Sequence, residues 1–277
     1  MTNNLPVKRS VPLFSNNLAA IEDFLRITKP DLVGFQEMDF GSARSYYQNQ
    51  GDSISKACSL PFYFSSINWD KNYVPFPQES IRHHFGRILS GQAIYSRFPL
   101  TATSKITLEK PSNRNFIYRS FYLDRLIQIA DWQVGGKTIR VLNLHLEAFE
   151  EETRISQAYI VRQLIESLAD SLPLIVLGDF NGMPPVETEH TQTMEIILGA
   201  SGIASAVDME MYEGNKHKYY TFSSRNPFEM IDYILYNPKF IQKTDAGVFA
   251  LAGEISDHFP VYMDFKLIPE IDPVKAD

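Results

Sequence analysis

One cysteine, Cys58, stands in 277 residues. No disulfide can form within the chain, and no cysteine-based zinc site can be built. Long apolar runs are also missing: no stretch approaches the length needed to span a bilayer. The N-terminus has no signal-peptide pattern. Basic residues are the minority charge, 26 against 33 acidic ones, and the net charge is −7. That balance argues against coating nucleic acid by electrostatics alone, although it leaves room for a local basic cleft. There is no repeat of fixed period, no low-complexity tract and no linker-like segment. What is present is 44% apolar residues and 21% charged. That is enough for a sizeable core and excludes global disorder. One domain over 1–277 is the simplest reading.

Leu174–Gly182 organises the chain. Leu174, Ile175, Val176 and Leu177 read as a strand buried on both faces. The strand ends in Gly178, Asp179 and Asn181, followed by a turn at 182–185. Asp179 and Asn181 lie two apart and so point to one side. A carboxylate there can bind a hard cation or take a proton, and a carboxamide can hold a water or a phosphate oxygen. The structural alternative is a buried strand closing in an Asx-turn.

The same pattern recurs along the chain. A helix is expected over 15–28, capped by Asn16 or Asn17 and ended by Pro30. The strand 31–37 that follows ends in Gln36 and Glu37. Residues 53–60 read as a helix. The stretch 73–87, rich in aromatics and carrying Arg82, His83, His84 and Arg87, reads as a long loop, either a substrate rim or a packed insertion. Strands are expected at 90–97 and 120–130, and Gly135-Gly136 reads as the hairpin turn between 126–133 and 137–146. That second hairpin strand alternates Asn143 and His145 with leucines, so the two polar side chains share a face. Residues 152–169 carry a clear helical stripe. A short helix at 194–198 and strands at 219–222, 230–236 and 261–267 complete the reading. Asp232 falls inside an apolar strand, where a carboxylate needs a partner. His258, next to Asp257, can supply one, and such a pair orients the imidazole and raises its basicity.

Taken in order, Gln36-Glu37, Ser96-Arg97-Phe98-Pro99, Asn143-Leu-His145-Leu, Gly178-Asp179-Phe180-Asn181, Ile231-Asp232-Tyr233-Ile234 and Ser256-Asp257-His258-Phe259-Pro260 resemble the motifs of the endonuclease/exonuclease/phosphatase superfamily, the deoxyribonuclease I-like fold. The resemblance runs from near residue 30 to near 262. It implies an α+β architecture, a four-layer α/β sandwich in which two packed mixed sheets are flanked by helices. It further implies a magnesium-dependent phosphodiesterase or phosphatase, with manganese as the alternative metal. By that analogy Glu37 and Asp257 bind the cation. Asp179 binds or activates the attacking water, and Asn181 positions water or phosphate. His258, held by Asp232, acts as base or hydrogen-bond donor. His145 contacts the phosphate, with Asn143 and Arg97 on the substrate side. The family's first strand carries a metal-binding Asn, for which Asn4 is the match, and that strand reads as truncated here. A histidine at 145 is the pattern of deoxyribonucleases, sphingomyelinases and inositol-phosphate phosphatases, whereas apurinic-site endonucleases carry tyrosine.

The expected partner is a phosphoester: nucleic acid, a phospholipid headgroup or a small phosphate ester. The competing function is a non-catalytic binding module on the same fold. Zinc held by Asp179, Asp257 and His258 is a third reading, but no metal-ligand spacing of histidines or cysteines supports it. A monomer is expected. Cytoplasm is the default compartment, with secretion left open by the incomplete first strand.

Overall fold

The computed structural model describes residues 10–75 and 84–269. The elements run α1 (Val11–Thr28), β1 (Leu32–Asp39), α2 (Gln50–Cys58), β2 (Phe62–Val74), β3 (Gly86–Ser96), β4 (Leu100–Thr107), α3 (Phe116–Phe121), β5 (Leu126–Val134), β6 (Lys137–His145), α4 (Glu151–Leu168), β7 (Leu174–Asp179), α5 (Gln192–Leu198), β8 (Ala204–Ser205), α6 (Met209–Gly214), β9 (Asp232–Tyr236), β10 (Ile241–Val248) and β11 (Val261–Leu267).

The central sheet has six strands in the order β4-β5-β6-β7-β9-β8. Its one parallel pair is β6 with β7, joined by α4, since a parallel step needs a crossover long enough for a helix. One face of this sheet buries Leu142, Leu144, Val176 and Leu235 against Ala158, Val161 and Ile165 of α4 and Met194 and Ile197 of α5. The opposite face buries Val141, Ile175 and Leu177 against Ile94 of β3 and the β10–β11 hairpin. The second layer therefore consists of the antiparallel sheet β1-β3-β2 and that hairpin side by side. A third cluster packs Leu18 and Leu25 of α1 and Ile54 of α2 against Met38, Ala93 and Tyr95 on the outer face of β1 and β3. Four layers result: helices, six-stranded sheet, second sheet layer, helices.

Several boundaries differ from the sequence reading, each for a local reason. Helix α1 starts four residues earlier than expected, because Ser10 caps it by accepting from the Leu13 N–H at 3.4 Å. It ends before Pro30 as expected. Residues 120–130 are not one strand: α3 comes first, capped by Asn115, whose side chain accepts from the Tyr118 N–H at 2.8 Å, and β5 begins only at Leu126. The expected long loop 73–87 is shortened by β2 and β3, which reach into it from both sides. Within it, residues 76–83, including Arg82 and His83, lie outside the described residues. His84 meets the Tyr73 hydroxyl at 2.7 Å, and Arg87 pairs with Asp70. Residues 219–222 form no strand; Phe222 makes isolated bridges to Glu229 and His258. Strands β2, β4 and β10 were not anticipated. β4 lies at the edge of the six-stranded sheet and is largely exposed, so it lacks the apolar alternation that marks a half-buried strand.

Candidate active site

Register builds the site. On β6, β7 and β9, His145 sits opposite Asp179, and Asp179 sits opposite Asp232. Side chains opposite one another on neighbouring strands share a face. Here it is the face turned toward the second sheet layer, at the edge where all three strands begin or end. The organising strand is buried throughout, and it closes on its neighbour without a side chain in the way. A Cβ on Gly178 would come within 2.0 Å of the Leu144 carbonyl oxygen, and its φ of +139° is one that residues with a Cβ rarely adopt. Asp179 therefore emerges level with His145.

All three side chains are nearly out of water, with His145, Asp179 and Asp232 exposed by 3%, 6% and 8%. Asp232 Oδ2 lies 2.8 Å from Nδ1 of His258, the pair expected from sequence. Phe222 packs over that imidazole with ring centroids 4.9 Å apart. Burial works against a charge on His258. The charge of Asp232 and its hydrogen bond outweigh burial, with Asp179 and Asp257 adding to them, and raise the imidazole to about 10. Burial, together with the charge of Asp232, raises Asp179 to about 7, against the pull of His258, the Asn181 N–H and Arg125. His145 goes the other way: burial first, then Arg125 and His258, hold it well below the ordinary histidine range. The site thus contains an imidazolium, a neutral imidazole and a carboxylate that titrates near neutrality. Environments that separate the titration of like groups in this way assign acid and base roles.

Asn181 follows directly. It adopts φ +48°, its N–H donates to Asp179 Oδ1 at 2.9 Å, and its Nδ2 donates to the Leu146 carbonyl at 3.0 Å. In this orientation its carboxamide oxygen is left as an acceptor. Glu37 lies at an irregularity in the β1–β3 pairing between Phe35 and Met38, in the left-handed region at φ +54°, and its side chain is exposed. Asp257 is exposed beside His258. Arg44 is bound to Asp39 by three hydrogen bonds of 2.9–3.1 Å, and the charges of both Glu37 and Asp257 act on its guanidinium.

Two residues expected on the substrate side lie in other surroundings. Asn143 is fully buried, and its polar atoms are all engaged within the protein. Its Nδ2 donates to Gln128 Oε1 at 2.8 Å and to the carbonyls of Phe35 and Ala93, and its Oδ1 accepts from Gln36 Nε2 at 2.6 Å. It ties the two sheet layers together beneath His145. Arg97 is exposed at the other end of β3, bonded to Asp31 at 3.2 Å. Ser96 pairs with Leu32 at the start of β1, about 16 Å along the strand from Glu37. The expected ligand Asn4 lies outside the described residues.

Among the described residues, the compact group able to hold a metal ion is Asp179, Asp232 and His258, whose ligand atoms lie within 4.8 Å of one another. The chemistry of the donors fits a hard divalent cation. Asp179 is a buried carboxylate beside a second carboxylate, a situation a cation relieves, and Glu37 and Asp257 offer further oxygens. Sequence reasoning missed Arg125, which donates from Nη1 to His145 Nε2. An arginine just before an apolar strand gives no sequence signal of burial, since such residues ordinarily extend their charged end into water.

No curated protein matches the chain in sequence. Among solved structures, the fold is shared with a mannosyl-6-phosphatase of Bacteroides thetaiotaomicron at 18% identity, covering 91% of each chain with a TM-score of 0.64. It is shared with the human Nocturnin catalytic domain bound to sulfate at 22% identity, covering 92% of this chain and 87% of the other, TM-score 0.64. It is also shared with D. rerio TDP2 complexed with a single-stranded DNA product at 16% identity, covering 91% and 92%, TM-score 0.59. A family model described as the Endonuclease/Exonuclease/phosphatase family matches residues 11–258. Sequence motifs, four-layer fold and family match agree, and the chain belongs to the endonuclease/exonuclease/phosphatase family.

Proposed function

We propose that the chain hydrolyses phosphate esters with a divalent cation, magnesium or alternatively manganese. The observation that carries this reading is the registration of His145, Asp179 and Asp232 on three adjacent strands with His258 bonded to the last. Membership of a family named for nucleases and phosphatases supports the reaction class. Glu37 and Asp257 would hold the cation beside Asp179, which stays free for the attacking water. When bound, the cation withdraws charge from the phosphate oxygens and stabilises the leaving oxyanion.

The chain's own groups divide the remaining work. Asp179, titrating at about 7, is the base for the attacking water, because its affinity for a proton matches neutral pH. His258 at about 10 keeps its proton, so it serves as a donor to a phosphate oxygen rather than as a base. Asp232 holds that ring in place. Asn181 orients the water through its carboxamide oxygen. His145 stands level with Asp179 on the neighbouring strand. Within the class, the net charge of −7 supports a small or headgroup phosphate ester over duplex DNA, whose binding rests on counterion release.

The test is a panel of phosphate mono- and diesters, single- and double-stranded nucleic acids and phospholipids, with added magnesium, with chelator, and with Asp179→Asn alongside. Hydrolysis of one class, lost in the variant and in chelator, is expected. Full activity in Asp179→Asn refutes the site, and saturable binding of a phosphate ester without turnover favours a binding module.

A further inference from the structure

Arg125 is a buried cation beside the site. Its side chain is 2% exposed, and a buried permanent cation is strongly destabilising unless paired. The pairing is specific. Nη2 donates to the Tyr122 hydroxyl at 3.3 Å, and that hydroxyl donates to Glu147 Oε1 at 2.6 Å. Glu147 Oε2 lies 3.7 Å from Arg125 Nε. Glu147 is fully buried and is fixed in turn: its Oε1 accepts from the Phe149 N–H at 3.0 Å, and its own N–H donates to Gln157 at 2.8 Å. The guanidinium is clamped on this side, and its remaining arm, Nη1, donates to His145 Nε2.

A guanidinium has donors only and keeps its proton. Nε2 of His145 is therefore the acceptor, and the ring's single proton sits on Nδ1, a buried atom with no hydrogen-bond partner among the described residues. Asp179 Oδ2 stands 3.4 Å from the same Nε2. With the guanidinium removed, the favourable arrangement is the reverse one, in which Nε2 carries the proton and donates to the carboxylate. His258 and Asp232 already form such a pair. A second pair would tie up Asp179.

We propose that Arg125 is a positioning residue that holds His145 in the Nδ1–H tautomer and so keeps Asp179 from being captured by the imidazole. The functional consequence rests on the reading of Asp179 as the base for hydrolysis; the tautomer itself does not.

The experiment is a long-range proton–nitrogen correlation on the full chain with 15N-labelled histidine, His145 being assigned by its absence in His145→Gln. Wild type is expected to show the Nδ1–H tautomer, and Arg125→Gln the Nε2–H tautomer. With the substrate found in the panel, Arg125→Gln is expected to lower kcat by about 10–100-fold with little change in KM, the usual scale for a group that orients another. An Nε2–H tautomer in wild type overturns the proposal, as does an unchanged tautomer in a folded Arg125→Gln. If that variant does not fold, the wild-type spectrum decides alone. Nδ1–H in a wild-type chain that hydrolyses nothing leaves the Arg125 assignment standing and sinks the hydrolase reading. Nε2–H in an active enzyme does the reverse.

Discussion

Asp232→Asn keeps the shape of the strand end and removes the negative charge beside His258. In the native protein that charge and its 2.8 Å hydrogen bond overcome burial and carry the imidazole from 6.5 to about 10. A difference of that size corresponds to on the order of 5 kcal/mol of preference for the charged ring. The folded ring keeps its proton to higher pH than the unfolded one. Its contribution to stability is therefore complete below about pH 6.5 and is lost as pH rises from there to about 10. In Asp232→Asn the burial remains and the main compensation is gone, so His258 should titrate below the ordinary histidine range and be neutral at pH 7. Two measurements check this. Proton NMR should follow the His258 ring through a titration in both proteins, and urea unfolding should give stability at about pH 6, 8 and 10. Wild type should lose stability steeply across that window and the variant should not. A wild-type ring that titrates between about 6 and 7, or an alkaline stability slope that survives the substitution, would refute the reasoning.

The remaining expectations follow from the same geometry. Asp179→Asn should cut hydrolysis by about 10²–10⁴-fold as the base is lost. It should also raise the unfolding temperature above neutral pH: the raised titration of Asp179 means that wild type loses stability as pH climbs from 3.8 to about 7, and the variant should be spared that loss in a thermal scan across the range. Gly34→Ala should destabilise by about 1–3 kcal/mol in urea unfolding. Its Cβ would come within 2.2 Å of Leu177 Cδ1 and 2.9 Å of Asn143 Oδ1, and an unchanged midpoint would show that the sheets separate freely there. Magnesium at about a hundred times its dissociation constant should stabilise wild type by about 2.7 kcal/mol in calorimetry, and Glu37→Gln should respond far less.

The fold and the chemistry were legible in the sequence to different depths. Strands such as Leu174–Asp179 and Val261–Leu267 announce themselves because an apolar run or an alternation is a direct image of burial. β4 and β10 did not, because an exposed or twisted outer strand is held by its neighbour's hydrogen bonds and carries little apolar pattern of its own. The partnership of Asp232 with His258 was readable because a carboxylate in an apolar strand must be compensated. Arg97 shows the opposite case: it sits inside a motif, yet the antiparallel pairing of β1 and β3 carries it to the far end of the layer.

The sequence by itself determined which residues lie at strand ends, which faces they share within each strand, and that a buried acid needed a partner. These are local consequences of two-residue periodicity and desolvation. Only the tertiary structure decided that His145, Asp179 and Asp232 stand level with one another, that Asn143 is spent on joining the sheet layers, and that a buried arginine reaches His145. Those outcomes depend on inter-strand register and on contacts between residues far apart in the chain, such as Gln36 with Asn143. No single segment encodes them, because the free energy that selects them belongs to pairs of segments.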